Sequence, residues 1–186
     1  MSDSAAVMPH LTAEFFVWLW FAADREGGTF DLGPELGVVD MWIEERLSFR
    51  AVDEDKARAV LTGEDASKSA EARAALSSGK VVRDLQIHLR REEREYTVTL
   101  RGPHLDLGGL KLPAHSPEGE DELLYERMFL YEDAWSVIRG LYRVFAQERV
   151  SPDWHTRTLP EIRAWSARGD GPPFAFEAPR GRGGEE

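Results

Sequence analysis

The five histidines, at positions 10, 88, 104, 115 and 155, include no pair at the helical spacing that grips zinc, and no His-Glu-x-x-His occurs. Cysteine is absent, which excludes a thiol nucleophile, a thiolate metal site and a disulfide framework together. Gly79-Lys80 is followed by Val81 and lacks the preceding Gly-rich run that cradles phosphate. No Gly-x-Ser-x-Gly elbow and no Gly-x-Gly-x-x-Gly after a strand is present. Carboxylates are plentiful, but they sit at helix starts and between strands, where position explains them. His88 falls on the outward side of an alternating segment and reads as a surface residue. The chemistry left is that of fixed positive charge, which neutralises phosphates and releases counterions. Its candidates are Arg90, Arg91, Arg94, Arg101 and Lys111. The expectation is a non-enzyme with no metal site, no cofactor and no small-molecule substrate.

Those cations share one region. From Lys80 to Leu112 there are seven Lys or Arg and five Asp or Glu, a net of +2, within a chain whose total is −11. The rest therefore carries sixteen basic and twenty-nine acidic residues. An acidic total favours solubility and opposes a DNA-coating protein, so only the central region is electrostatically suited to an anionic partner.

The segment that must position these residues is KVVRDLQIHLRREEREYTVTLRGPHLDLGGLKLP, Lys80 to Pro113. Val81, Leu85, Ile87 and Leu89 alternate with polar residues, then Tyr96, Val98 and Leu100 do the same, as in two half-buried strands. Arg90 to Glu95 is wholly polar and marks either a hairpin tip or protruding strand ends. Alternation resumes at Leu105 and Leu107 and slips at Gly108-Gly109, which predicts a bulge. Earlier, Val39, Met41, Ile43, Leu47 and Phe49 give strand periodicity longer than one average strand, with Glu44-Glu45 a candidate turn. A short strand is expected near Ala59 to Leu61, and a helix from Asp65 or Ser67 to Ser77.

Two helices complete the frame. Thr12 reads as the N-cap of a helix over 13–25 ended by Gly27-Gly28, apolar all the way round from Phe15 to Phe21, so it must be covered on several sides by a sheet, a helix or a second subunit. The longest periodic element, 120–149, places Leu124, Met128, Tyr131, Trp135, Ile138, Tyr142 and Phe145 in one row and Leu130, Ala134, Val137, Leu141 and Val144 in another. Two such rows form a face broad enough to lie on a sheet. Ser151-Pro152 starts a further helical piece with Trp154, Leu159, Ile162 and Trp165 as its buried side. Residues 1–9 and the Gly- and Pro-rich 169–186 are expected to be disordered around one domain at 10–168.

The runs LTAEFFVWLW at Leu11, AALSSGKVV at Ala74, LQIHL at Leu85, YTVTL at Tyr96, LKLP at Leu110 and ERMFL at Glu126 resemble, in this order, the C-terminal half of the recombination-associated RdgC family. The resemblance covers about residues 10 to 148. It implies an α+β nucleoid-associated protein that binds DNA with little sequence preference, forms a ring-shaped dimer around the duplex and restrains RecA-driven strand exchange. The resemblance adds Lys80, which matches the family's Gly-Lys step, to the phosphate-contact candidates; Arg90, Arg91, Arg94, Arg101 and Lys111 are assigned from charge and alternation. The family's N-terminal portion has no counterpart here.

The expected architecture is α+β: an antiparallel sheet of about four to six strands with the helices at 13–25 and 120–149 packed on one face. The first functional expectation is RdgC-like, sequence-independent DNA binding by a homodimer, through the basic edge of the sheet. The alternative is a non-catalytic interaction or structural module that has kept the fold without DNA binding. Its interface candidates are Phe15, Trp18, Trp20 and Trp135. The N-terminus lacks a basic segment ahead of its short apolar run, which reads as a cytoplasmic protein with no membrane partner.

Overall fold

The computed structural model describes residues 8–50, 58–62, 70–102, 104–113 and 119–167. The element order is α1 (Met8–Glu26), β1 (Thr29–Asp31), β2 (Val38–Arg50), β3 (Arg58–Thr62), α2 (Ala70–Ser77), β4 (Val81–Arg91), β5 (Arg94–Arg101), β6 (Asp106–Lys111), α3 (Glu120–Val150), a π-helical turn (Trp154–Thr158) and α4 (Leu159–Ser166). Six strands form one antiparallel sheet in the order β1-β2-β4-β5-β6, with β3 also paired to β2. β1 takes the first residues of β2 and β3 the last, so both share the edge of β2 away from β4.

The alternation sets the two faces. Met41, Leu89 and Tyr96 lie side by side across three strands, as do Leu47, Leu85 and Leu100, and all six are buried. The alternates Trp42, His88 and Thr97, an exposed aromatic beside two polar residues, form the matching row on the opposite face. Glu44-Glu45 is not a turn: β2 runs on as one strand, absorbing the pair in an irregularity between Ile43 and Leu47. A second shift between Ser48 and Phe49 makes Val82, rather than Val81, the buried residue. Glu92 turns the β4–β5 hairpin with a left-handed φ of +55°. Gly109 (φ +60°) accompanies the expected irregularity in β6, whereas Leu105 belongs to the turn before it, at φ +59°.

α1 is the centre of the core. It begins at Met8, with Pro9 in the first turn where its missing N–H matters least, so Thr12 is a buried interior residue and not a cap. The helix that is apolar on every side is covered on every side by this chain. Trp20 packs on Phe49 of β2 and, edge-on at 5.0 Å, on Trp165 of α4. Phe15 and Trp18 meet Phe145 of α3, and Trp18 meets Phe30 of β1. Gly28, at φ +74°, lets the chain leave α1 against β2: a Cβ there would stand 1.8 Å from the Met41 carbonyl oxygen.

The polar groups at this centre are matched. The Trp18 indole donates to Glu148 at 2.8 Å, the Thr158 hydroxyl donates to the same carboxylate at 2.5 Å, and Arg149 pairs with Glu14 at 2.6 Å. These bonds tie α1 to the end of α3 and to the π-helical turn, as buried polar atoms require. Pro160 lies in the first turn of α4 and restarts the helix; Trp154, Leu159, Ile162 and Trp165 are all buried, as their spacing predicts. α2 covers 70–77, and the expected start of that helix at Asp65 or Ser67 lies outside the described residues, as do 1–7 and the tail from 168.

Candidate functional site

Strand alternation sends neighbouring residues of β4 to opposite faces, and this divides the basic set. Arg90 stands on the polar face, opposite Glu95 on β5 and Asp40 on β2. Its guanidinium donates to Asp40 at 2.6 Å and lies 6.0 Å from the Trp42 ring. The bond from Arg90, with a second from the Thr29 hydroxyl, holds the Asp40 carboxyl below the usual carboxylate range. Arg101 and Lys111 project on this same face, since Arg101 pairs with Asp84 and Asp106 and Lys111 with Thr97. The face also carries the acids Asp40, Glu44, Asp84, Glu95 and Asp106, so it is not a basic surface. At its middle Trp42 stacks on His88 at 4.1 Å, and His88 Nδ1 lies 3.1 Å from Glu44 and 3.3 Å from the Thr97 hydroxyl.

Arg91 and Arg94 turn to the helical face. Arg91 donates to Asp133 of α3 at 2.5 Å, Arg94 stands 3.5 Å from the other oxygen of that carboxylate, and the Tyr96 hydroxyl donates to it at 2.6 Å. Burial, reinforced by the bond to Asp133, raises the Tyr96 phenol above its ordinary range. This cluster is an internal brace between the hairpin tip and α3. The structure thus places Arg90, Arg101 and Lys111 on one face, Arg91 and Arg94 on the other, and Lys80 in the turn between α2 and β4. The expected single basic edge is not formed. None of Arg90, Arg91 and Arg94 pairs with its hairpin neighbours Glu92 and Glu93 in the described contacts; their ion-pair partners are Asp40 of β2 and Asp133 of α3. Arg91 also donates to the Glu35 carbonyl, and Glu95 of β5 attracts Arg90.

The aromatic interface candidates are corrected by burial. Phe15, Trp18 and Trp20 are 0, 4 and 1% exposed and belong to the core of this chain, so they present nothing to a second copy. Trp135 is partly buried, with Arg139 over its ring.

An exposed surface on α3 takes their place, of which the periodicity assigned Leu124, Met128 and Tyr131 to the sheet-covered face. α3 spans about 46 Å, and its fully buried side starts only at Leu130. In the turns before and beside it, Leu124, Tyr125, Met128, Phe129 and Tyr131 are 57, 72, 53, 54 and 50% exposed. Met128 and Tyr131 line a groove with Leu107, Leu110 and Leu112 of the edge strand β6 and the segment after it. On the other side of the helix Glu126 and Leu130 line a depression with Glu92, Glu93, Arg94 and Pro113. The row Leu124-Met128-Tyr131 was legible as apolar; that nothing in the described chain covers it was not.

A third depression, lined by Phe21, Asp24, Arg25, Glu161 and Trp165, is crossed by the Arg25–Glu161 ion pair and the bond from the Trp165 indole to Asp24. Among the described residues no group of three or more His, Asp or Glu is placed to hold a metal ion. No described helix is long and apolar enough to cross a membrane. No protein-family model and no curated protein matches the chain.

Proposed function

We propose that the chain is a non-catalytic interaction module that docks a protein partner on the first half of α3 and the adjoining edge strand β6. One observation carries this reading: five large apolar side chains on one helical stretch are each half exposed or more, beside Leu107 and Leu110 of an edge strand and Leu112 just after it. Single exposed apolar residues are ordinary, whereas a contiguous patch of this kind is the usual mark of an interaction site. Asp133, engaged by Arg91, Arg94 and Tyr96, fixes the end of this stretch to the β4–β5 hairpin, which reduces the entropy lost on docking.

The test is a photo-crosslinking side chain at Tyr125, with a matched probe at the exposed Arg139, in the cell of origin. The expected result is a discrete heterologous protein adduct at 125 that is absent at 139 and disappears when Phe129→Ser is added. Equal adducts at both positions, or none at 125, would sink the reading.

DNA binding, the activity implied by the RdgC resemblance, is the second reading. The observation in its favour is that Arg101 and Lys111 are exposed on the same face as the Thr97 and Thr99 hydroxyls, all groups that contact phosphates. Against it stand five carboxylates on that face and the commitment of Arg91 and Arg94 to Asp133. Anisotropy of a labelled duplex and a labelled single strand at about 50 and 200 mM salt separates the two readings. Binding that collapses at the higher salt and is lost in Arg101→Ala/Lys111→Ala supports DNA; no binding at the lower salt removes it.

A further inference from the structure

The charges around the exposed patch narrow the chemistry of what it receives. Along α3, Asp121, Tyr125, Phe129 and Glu132 follow at spacings of four, four and three, which stacks them in one row on the helix surface. This row runs beside Leu124, Met128 and Tyr131, so the two exposed aromatics are bracketed by carboxylates eleven residues, about 16 Å, apart. Glu122 and Glu126 flank the same stretch, with Glu92 and Glu93 across the neighbouring depression, where the Arg94 guanidinium stands 5.1 Å from the Phe129 ring and sets a cation against these acids. From Asp121 to Glu132 there are four carboxylates and one guanidinium, a net of −3, and the single Arg127 lies on the side of the β6 leucines. Asp133 adds nothing outward, since Arg91, Arg94 and Tyr96 engage it.

We infer that the element received here is a cationic amphipathic helix of another protein. Its apolar side chains lie on Leu124, Tyr125, Met128 and Phe129, and a Lys or Arg near each end meets Asp121 and Glu132. This rests on the interaction reading above and gives it a ligand class. A second copy of the chain is disfavoured by the same charges. Antiparallel pairing of two α3 segments sets Asp121 of one copy against Glu132 of the other, and parallel pairing sets each acid against itself. Either way like charges meet while water is being expelled, which opposes association. Nucleic acid and anionic membranes meet the same negative field and are repelled by it. A cationic helix meets attraction at both ends and an apolar stripe between them, the geometry by which a groove or helix face takes an amphipathic helix.

The probes are three peptides of about 18 residues, long enough for partial helicity, sharing one Leu/Ile/Phe face and carrying Lys, Gln or Glu at every polar position. Their binding to the full chain is read by fluorescence anisotropy. The expected order is Lys over Gln over Glu, with at least about a tenfold step from Lys to Gln and loss of that step at high salt. Phe129→Ser weakens the Lys peptide about tenfold or more, as truncating a central aromatic contact does. Asp121→Lys combined with Glu132→Lys inverts the order of the Lys and Glu peptides. All these residues are exposed, so an unchanged circular-dichroism melt confirms that each variant is folded. If the Gln peptide binds as tightly as the Lys peptide and both need Phe129, docking stands and the charge assignment falls. If the chain forms a Phe129-dependent dimer by sedimentation equilibrium, the occupant is a second copy and the inference is overturned. If no peptide binds and crosslinking at 125 is also empty, both readings fall.

Discussion

Asp133 offers the sharpest quantitative test of the structure. Its carboxylate accepts from Arg91 at 2.5 Å and from the Tyr96 hydroxyl at 2.6 Å, with Arg94 at 3.5 Å. The Asp133 and Arg91 side chains are 8% and 17% exposed, so their pairing is largely withdrawn from water. Removing one member of such a pair leaves the other charge uncompensated, a loss of about 3–5 kcal/mol, and Asp133→Ala belongs at that level. For a domain of this size that corresponds to a fall in melting temperature of about 10 °C. Asp133→Asn keeps an acceptor for Tyr96 but not the charge, and loses about half as much. Arg94 is 36% exposed at a longer distance, and Arg94→Ala is expected to change stability by about 0–1 kcal/mol. The assay is urea unfolding of the Arg91→Ala, Asp133→Ala and double variants as a cycle, with a coupling term of about 2 kcal/mol expected. A coupling near zero, or an Asp133→Ala loss below about 1 kcal/mol, would show that the brace between the hairpin tip and α3 is absent. The same variants bear on function. If Arg91 is internal, Arg91→Ala lowers stability and leaves any affinity for DNA untouched.

The backbone and a titration give two further predictions. Gly28→Ala must accept both a left-handed φ of +74° and an overlap with the Met41 carbonyl, so its loss exceeds that of Gly27→Ala, which has the same handedness (φ +66°) and open space around it. About 1 kcal/mol is expected for Gly27→Ala and more than about 2 kcal/mol for Gly28→Ala in thermal unfolding, and equal losses would refute the close approach of α1's exit to β2. Tyr96 is held neutral in the fold above its ordinary value of 10.0, mainly by burial. The native state therefore keeps a proton that the unfolded chain releases, and this contribution, complete below about pH 10, declines as pH rises further. Stability measured from pH 9 upward should fall in the parent and fall less steeply in Tyr96→Phe; parallel curves would remove Tyr96 as the cause.

Local pattern was enough for much of this molecule. Alternation identified the β4–β5 hairpin and the strand after it, and 3.6-residue periodicity identified α3 and the buried side of the last helical piece. Both signals arise within a few residues, from the need of each strand or helix to hide one side. Where the chain departs from regular geometry the same signals failed: the irregularities in β2 turned an apparent break at Glu44-Glu45 into one strand and moved the buried position from Val81 to Val82. Thr12 has the chemistry of a cap, but a helix start is decided by the residues before it as well, and α1 begins at Met8.

The candidate site was less legible, for a physical reason. A sequence states that Arg91 carries a charge; what that charge does depends on which acid comes near it, and Asp133 is 42 residues away on another element. Likewise Phe15, Trp18 and Trp20 have the composition of an interface or of a core, and only the arrival of α3, α4 and the sheet around α1 made them core. Composition and periodicity determined the α+β class, the two faces of the sheet and the apolar rows of α3. Tertiary structure alone decided which charges are spent inside the fold and how far those rows are covered, because both depend on where distant elements end relative to one another in space.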